Sequence, residues 1–229
     1  MRRYFVTGTD TDAGKTLITT ALLAKARRQG LTTLGLKPVA TGCEHTPNGL
    51  RNADALVLQA FSYPWVDYTA VNPIALKPPI APHLAAARAN WTVQLAQLHD
   101  LVAVAMREPR DLVLIEGAGG WRVPLNDDED LSGLAVHLHL PVILVVGLRL
   151  GCINHARLTL NAIRADGLTV AGWVASQVDP DFAEREANLE TLRARLKAPC
   201  LGTVPWLGDG GDSLALAERA ASYLELPSD

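Results

Sequence analysis

Short apolar runs alternate with longer amphipathic stretches along almost the whole chain. Tyr4–Thr7, Leu112–Ile115, Val142–Val146 and Thr169–Val174 are compact apolar or β-branched runs bounded by turn residues. Runs of that length suit strands buried on both faces, as in a parallel sheet. Thr32–Val39 and Cys200–Val204 extend the set. Thr16–Gln29 has helical spacing, with Leu17, Ala21, Leu22, Leu23 and Ala26 on one face and Gly30 as its stop. Further helices are predicted over Asp54–Ala60, His83–Ala89, Thr92–Arg107, Asp130–His139, Asn154–Asp166, Phe182–Leu196 and Ser213–Leu224. Thr41–Asn52, rich in Gly, Pro, Asn and Thr, reads as a loop. Tyr63–Pro82 carries five prolines and reads as irregular. The alternation predicts right-handed βαβ units, hence an α/β fold with a mostly parallel sheet and helices on both faces. No repeat or long linker interrupts it, so one domain over residues 1–229 is expected.

Composition narrows the function. The chain is 48% hydrophobic and 20% charged, a globular balance, and its net charge of −3 gives no basic surplus for nucleic acid. Cys43, Cys152 and Cys200 are odd in number and far apart, which excludes a disulfide or zinc framework. No apolar stretch reaches the ~20 residues of a membrane helix, and no signal peptide is evident. A reduced, cytoplasmic protein is expected.

Residues 8–16 read G-T-D-T-D-A-G-K-T between a predicted strand and a predicted helix. This is a variant of the P-loop pattern G-x-x-x-x-G-K-[ST], with Thr9 where the first glycine usually stands. Gly14 permits close backbone approach to phosphate. The first N–H groups of the following helix have no helical partner and point at the anion. Lys15 brings charge to the β/γ-phosphates and the Thr16 hydroxyl is placed for Mg2+. The fold expected is therefore P-loop NTPase-like. In such sheets ligands bind beyond the carboxyl ends of the strands. Those positions hold Lys37 and Thr41-Gly42, then Glu116-Gly117-Ala118-Gly119-Gly120, Gly151-Cys152-Ile153-Asn154, Ser176-Gln177 and Pro205-Trp206-Leu207. Glu116 suits the strand-end acid that a P-loop site needs for its metal. Asp54 reads equally well as a metal ligand or a helix N-cap. Lys37 reads either as surface charge or as a group that neutralises a transferring phosphoryl. Asn154 lies in the first turn of a helix whose start suits a carboxylate or is an ordinary cap.

The segments G-T-D-T-D-A-G-K-T, L-K-P-V-A-T-G, L-R-N-A-D-A-L, E-G-A-G-G-W, P-V-I-L-V-V-G-L-R-L-G-C-I-N-H-A and A-G-W-V, in this order, resemble the dethiobiotin synthetase family. The resemblance runs from the first strand to Trp206. It implies a Mg2+- and ATP-dependent ligase of biotin synthesis that makes dethiobiotin from 7,8-diaminononanoate and CO2. It also implies a homodimer with substrate sites at the subunit interface. By motif position, Asp12, Ala13, Gly14, Lys15, Thr16 and Leu17 would bind ATP, with Asp54, Glu116, Gly117, Ala118 and Gly119. Ser176, Gln177, Pro205, Trp206 and Leu207 would border the base. Thr16, Asp54 and Glu116 would hold Mg2+, and Lys37 and Lys15 would be catalytic. Thr11, Lys37 and Thr41 would contact the substrate. Gly151, Cys152, Ile153 and Asn154 would receive its carboxylate from the neighbouring subunit. Two positions depart from the family pattern: Ser176 replaces an asparagine at the base, and Ala81 replaces a serine before Pro82-His83.

A P-loop switch or partition ATPase of the same fold is the alternative. Its relatives carry an extra lysine early in the loop, where this chain has Thr9 and Asp10. His137 and His139, two apart on a predicted helix, do not face each other and are not expected to bind metal. The five tryptophans are expected to pack in the core or at an interface, with Trp206 bordering the base. Asp127–Asp130 is expected to be a solvated loop and helix start.

Overall fold

The computed structural model describes residues 1–208 and 210–228. In chain order its elements are β1 (Arg2–Gly8), α1 (Lys15–Arg28), β2 (Thr33–Leu36), β3 (Val39–Ala40), β4 (Glu44–Thr46), β5 (Gly49–Arg51), α2 (Ala53–Ala60), α3 (Tyr68–Val71), β6 (Ile74–Ala75), α4 (Pro82–Arg88), α5 (Leu95–Ala105), β7 (Leu112–Glu116), α6 (Ser132–His137), β8 (Val142–Leu148), α7 (Cys152–Ala165), β9 (Val170–Gln177), α8 (Arg185–Arg195), β10 (Cys200–Val204) and α9 (Ser213–Ala220). A 3-10 turn, Ala221–Tyr223, follows α9.

Six strands form one sheet in the order β10-β9-β8-β1-β7-β2, and every pairing in it is parallel. From β1 the chain first runs to β2 on one side and later to β8 on the other. The crevice at the carboxyl end of β1 is the topological switch point where such folds bind ligands. Register sets the contents of that crevice: Leu36 lies level with Ile115 and Val6 with Glu116, so Lys37 leaves β2 beside Glu116.

Side chains alternate between the two faces. Tyr4, Val6, Leu112, Leu114, Ile143 and Val145 pack under α1, α2 and α9. Phe5, Val113 and Ile115 meet Leu98 of α5 and Leu134 of α6 on the other face. There Leu144, Val146 and Trp173 meet Leu160 of α7 and Leu192 of α8. Each fully buried leucine or isoleucine in these layers contributes about 2 kcal/mol by removal from water.

The sequence-based boundaries shift in several places for local reasons. Pro38 has no N–H to donate, and β2 stops at Leu36; Val39–Ala40 then pairs with Ile74–Ala75 in a separate two-stranded ladder. The predicted loop over Thr41–Asn52 contains an antiparallel hairpin, β4 with β5. Gly49 turns it at φ 95° and the Thr46 hydroxyl donates to its carbonyl at 2.8 Å. The irregular stretch 63–82 holds the single turn α3 as well as β6. Ser176 and Gln177 are the last residues of β9, not part of a loop after it. The predicted helix Asp130–His139 shrinks to Ser132–His137. The acidic run before it is not simply solvated: Glu129 Oε2 accepts from the Leu95 N–H at 2.8 Å and from Asn126 Nδ2 at 2.8 Å, tying the run to the start of α5. Trp121 and Trp173 are buried, whereas Trp65 and Trp91 stand exposed outside the core. No described helix is long and apolar enough to cross a membrane.

Candidate active site

The phosphate loop is held from below. Thr9 N–H donates to Val145 O at 2.9 Å, so the loop leaves β1 still tied to β8. Gly147 lets β8 pass beneath it, because a Cβ there would sit 3.0 Å from Ala13 Cα. Asp12 adopts φ 57° and Gly14 φ 87°. Gly14 is the N-cap of α1 and supplies no side-chain cap, so the first N–H groups of that helix open into the crevice. Lys15 folds back across the loop, its Nζ donating to Asp10 O at 3.1 Å. Burial, reinforced by the nearby Lys37 charge, pushes its pKa down against the pull of Glu116.

Arg149, just past β8, clamps the same loop from the side. Its Nη2 lies 2.6 Å from Asp10 Oδ1 and donates to Thr11 O at 3.0 Å. Sequence reasoning passed over both Asp10 and Arg149 as site residues; the signal available was an arginine at a strand end opposite an aspartate in the loop. Arg149→Ala is expected to raise the KM for ATP about three- to tenfold, the value of one charge-assisted contact at a partly exposed site. The same variant should leave kcat within about threefold of wild type. Steady-state kinetics decide this, and an unchanged KM would mean that the loop keeps its shape without the clamp.

Lys37, Asp54 and Glu116 converge beside the loop. Lys37 Nζ donates to Asp54 Oδ2 and to Glu116 Oε1, both at 2.7 Å. Thr16 Oγ1 donates to the same Glu116 oxygen at 2.8 Å. Glu116 is fully buried at the end of β7, and its second oxygen, Oε2, is buried without a hydrogen-bond partner among the described residues. Burial alone would push the Lys37 pKa down, but the two carboxylates outweigh it and hold the ammonium above its ordinary range. Lys37 in turn holds the Asp54 carboxyl low against the opposing effect of burial. Asp54 is free for this because Asn52, not Asp54, caps α2: Asn52 Oδ1 accepts from Ala55 N–H at 3.2 Å.

One cleft of about 260 Å³ gathers Thr11, Asp12, Gly14, Lys15, Thr16, Leu17, Lys37, Thr41, Asp54, Glu116, Ala118 and Gly119. Asn52 also lines it and was not anticipated as a site residue. Ala13 is buried under the loop, and Gly117 is tied back to Val6 O at 2.9 Å. Ser176 is buried against Gly14. Gln177 Oε1 accepts from the Trp206 N–H at 3.2 Å and from Arg185 Nη1 at 3.0 Å, which joins the ends of β9 and β10. Pro205, Trp206 and Leu207 are half-buried in the segment that follows. Gly151, Cys152, Ile153 and Asn154 start α7 outside the cleft, with Gly151 and Asn154 exposed and Cys152 buried.

A family model described as an AAA domain matches residues 2–212. The ATP-dependent dethiobiotin synthetase BioD of Chromohalobacter salexigens is 62% identical, with all of both chains covered. That of Cellvibrio japonicus is 54% identical over 98% of this chain and 96% of its own. The chain belongs to the ATP-dependent dethiobiotin synthetase family. Among solved structures, a chain of the MinC:MinD cell division protein complex of Aquifex aeolicus superposes with a TM-score of 0.58 at 14% identity, covering 96% of this chain and 86% of that one. The cell division ATPase MinD of Pyrococcus furiosus gives 0.55 at 14% identity, covering 96% and 97%. At that identity the likeness establishes the P-loop NTPase-like fold alone. In this dethiobiotin synthetase family member the groups at the cleft that could ligate a cation offer oxygen: the Thr16 hydroxyl and the Asp54 and Glu116 carboxylates, with Glu116 Oε2 unpartnered among the described residues. Such a set suits a hard cation that takes one or two carboxylates and fills its remaining sites from phosphates and water. His137 and His139 join no group of three or more metal-binding side chains among the described residues.

Proposed function

We propose that this chain closes the cyclic urea of dethiobiotin from 7,8-diaminononanoate, CO2 and ATP, releasing ADP and phosphate. The observation that carries the reading is the junction of an open helix start with Lys37, which follows β2 and is held by Asp54 of α2 and by Glu116 at the end of the adjacent β7. The helix start suits the ATP phosphates, and the lysine suits the negative charge that develops as a phosphoryl group is transferred. Asp12 to Leu17 with Ala118 and Gly119 would cradle ATP, and Ser176, Gln177 and Pro205 to Leu207 would border its base. Thr16, Asp54 and Glu116 would hold Mg2+, which when bound would neutralise charge on the phosphates. Thr11, Lys37 and Thr41 would face the substrate.

The chemistry runs in three balanced steps. A neutral substrate amine adds to CO2 and loses a proton, giving a carbamate. The carbamate oxygen attacks the γ-phosphorus and ADP departs, leaving a carbamic-phosphoric anhydride. The second amine attacks the carbonyl carbon and expels phosphate, with loss of its proton. An alkylammonium with a pKa near 10.4 costs about 4–5 kcal/mol to neutralise at pH 7. Lys15, at the end of α1 that faces the crevice, repels an ammonium and attracts the carbamate that forms from it. Ring closure is intramolecular, and such tethered attack reaches effective molarities of about 10⁵ M, so holding the substrate does most of the remaining work. No protein nucleophile is required.

Gly151 to Asn154 lie outside the cleft of their own chain, which supports a role in a second copy's cleft, as the carboxylate-binding end of α7. Leu150 and Leu158 are 91% and 60% exposed on the same segment, and a homodimer would cover them. The enzyme would work in the cytoplasm. Purified protein incubated with 7,8-diaminononanoate, bicarbonate, Mg2+ and ATP should yield dethiobiotin one-for-one with ADP, read by mass spectrometry. ADP without a cyclic urea would instead favour a switch ATPase and withdraw the roles given to Lys37, Thr41 and Asn154.

A further inference from the structure

Lys37 lies between two carboxylates that could hold a metal ion. Its ammonium bridges one oxygen of Asp54 and one of Glu116, each at 2.7 Å, and these are two of the three residues proposed above to hold Mg2+. Glu116 Oε1 already accepts two hydrogen bonds, from Lys37 and from Thr16, while its Oε2 has none. A fully buried carboxylate needs a cationic or hydrogen-bonding partner, and Lys37 is the charged one that Glu116 has. The charged side chains lining the cleft, Lys15 and Lys37 against Asp12, Asp54 and Glu116, sum to −1. A divalent ion taking the same oxygens at about 2.1 Å would lie within a few ångströms of the ammonium, a like-charge contact that the buried setting does not screen.

We propose that Lys37 is the cation of the Asp54–Glu116 pair when no nucleotide is bound, and that arrival of the metal with its nucleotide displaces it. The inference rests on the metal assignment made under the proposed function. Displacement has two consequences. The carboxylates are never left buried and unpaired, since one cation replaces another. The lysine is released only after the nucleotide is in place, so Lys37 is withheld from the substrate until the phosphoryl donor is present. Asn72 Nδ2 donates to the Lys37 carbonyl at 2.7 Å and Lys37 N–H donates to Val71 O at 2.8 Å, so the backbone is pinned and the movement belongs to the side chain.

The test uses Mn2+ as the probe, with binding followed by electron paramagnetic resonance. Without nucleotide, Lys37→Met should bind Mn2+ about tenfold or more tightly than wild type. Lys15→Met removes an equal charge that Glu116 feels but that bonds neither carboxylate, its Nζ being bonded to Asp10 O, and should tighten binding by no more than about threefold. Equal gains in the two variants would reduce the effect to net charge and overturn the exchange, as would no gain in Lys37→Met. Wild type with a non-hydrolysable ATP analogue must also bind Mn2+; if it does not, it is the metal assignment itself that fails. Should Lys37→Met not fold, crystal structures of wild type with and without Mn2+ and the analogue decide. Lys37 Nζ should leave Glu116 Oε1 in the loaded form, and a bond retained there would refute the exchange.

Discussion

Lys37→Ala is expected to lower the rate of dethiobiotin formation about a thousandfold, the scale on which a cationic group is worth at a transferring phosphoryl. The KM for ATP should change much less, within about threefold, because the helix start, Lys15 and Thr16 still hold the phosphates. The variant also loses the partner of a fully buried carboxylate. Breaking a buried pair costs on the order of 3 kcal/mol, softened here because Thr16 still donates to Glu116 and Asp54 is partly open to water. Circular dichroism and a thermal midpoint must therefore accompany the kinetics, so that lost turnover is read on folded protein. Near-normal turnover would remove Lys37 from the chemistry.

Gly14→Ala should be the most damaging single-methyl change in the cleft. Gly14 sits at φ 87°, a conformation that costs a side-chain-bearing residue about 1–3 kcal/mol. The added Cβ would also run into Ser176 Oγ. Relief by tilting the loop would misdirect the N–H groups that start α1. ATP affinity, measured by calorimetry, should fall about a hundredfold. The two causes separate in a double variant: Ser176→Gly removes the collision and leaves the dihedral strain, so it should restore only part of the loss. Full restoration would mean that packing against β9, not the backbone angle, fixes Gly14; wild-type affinity in the single variant would mean that neither does.

The parts of this architecture that are local were legible in the residues. The strand-loop-helix around Gly14-Lys15-Thr16 and the buried run before Glu116 carry their own signals: helix-start chemistry and apolar length. The ends of elements were less so, because they depend on tertiary partners. β2 ends where Pro38 breaks pairing, and β9 extends to Gln177 because β8 continues alongside it to Leu148. The site was legible as a set of strand-end residues but not as a constellation. Nothing in spacing says that Lys37 meets Asp54 and Glu116, 17 and 79 positions away, or that Arg149 reaches Thr11 across 138. Those meetings follow from strand order. Asn52 escaped notice because it stood as the last residue of a predicted loop, with Asp54 offered as the helix cap in its place; both its cap and its position at the cleft wall need the fold to be seen.

The cleft walls come from three strand ends that are neighbours in the sheet and distant in the chain. A ligand lying across them acts as a clasp on the fold, since no unfolded or half-folded chain presents that surface. At a hundred times its dissociation constant such a ligand adds about 2.7 kcal/mol to the stability of the whole sheet. The melting temperature is then a running report of how full the cleft is. In a cell, the lifetime of this enzyme would rise and fall with the supply of its own nucleotide.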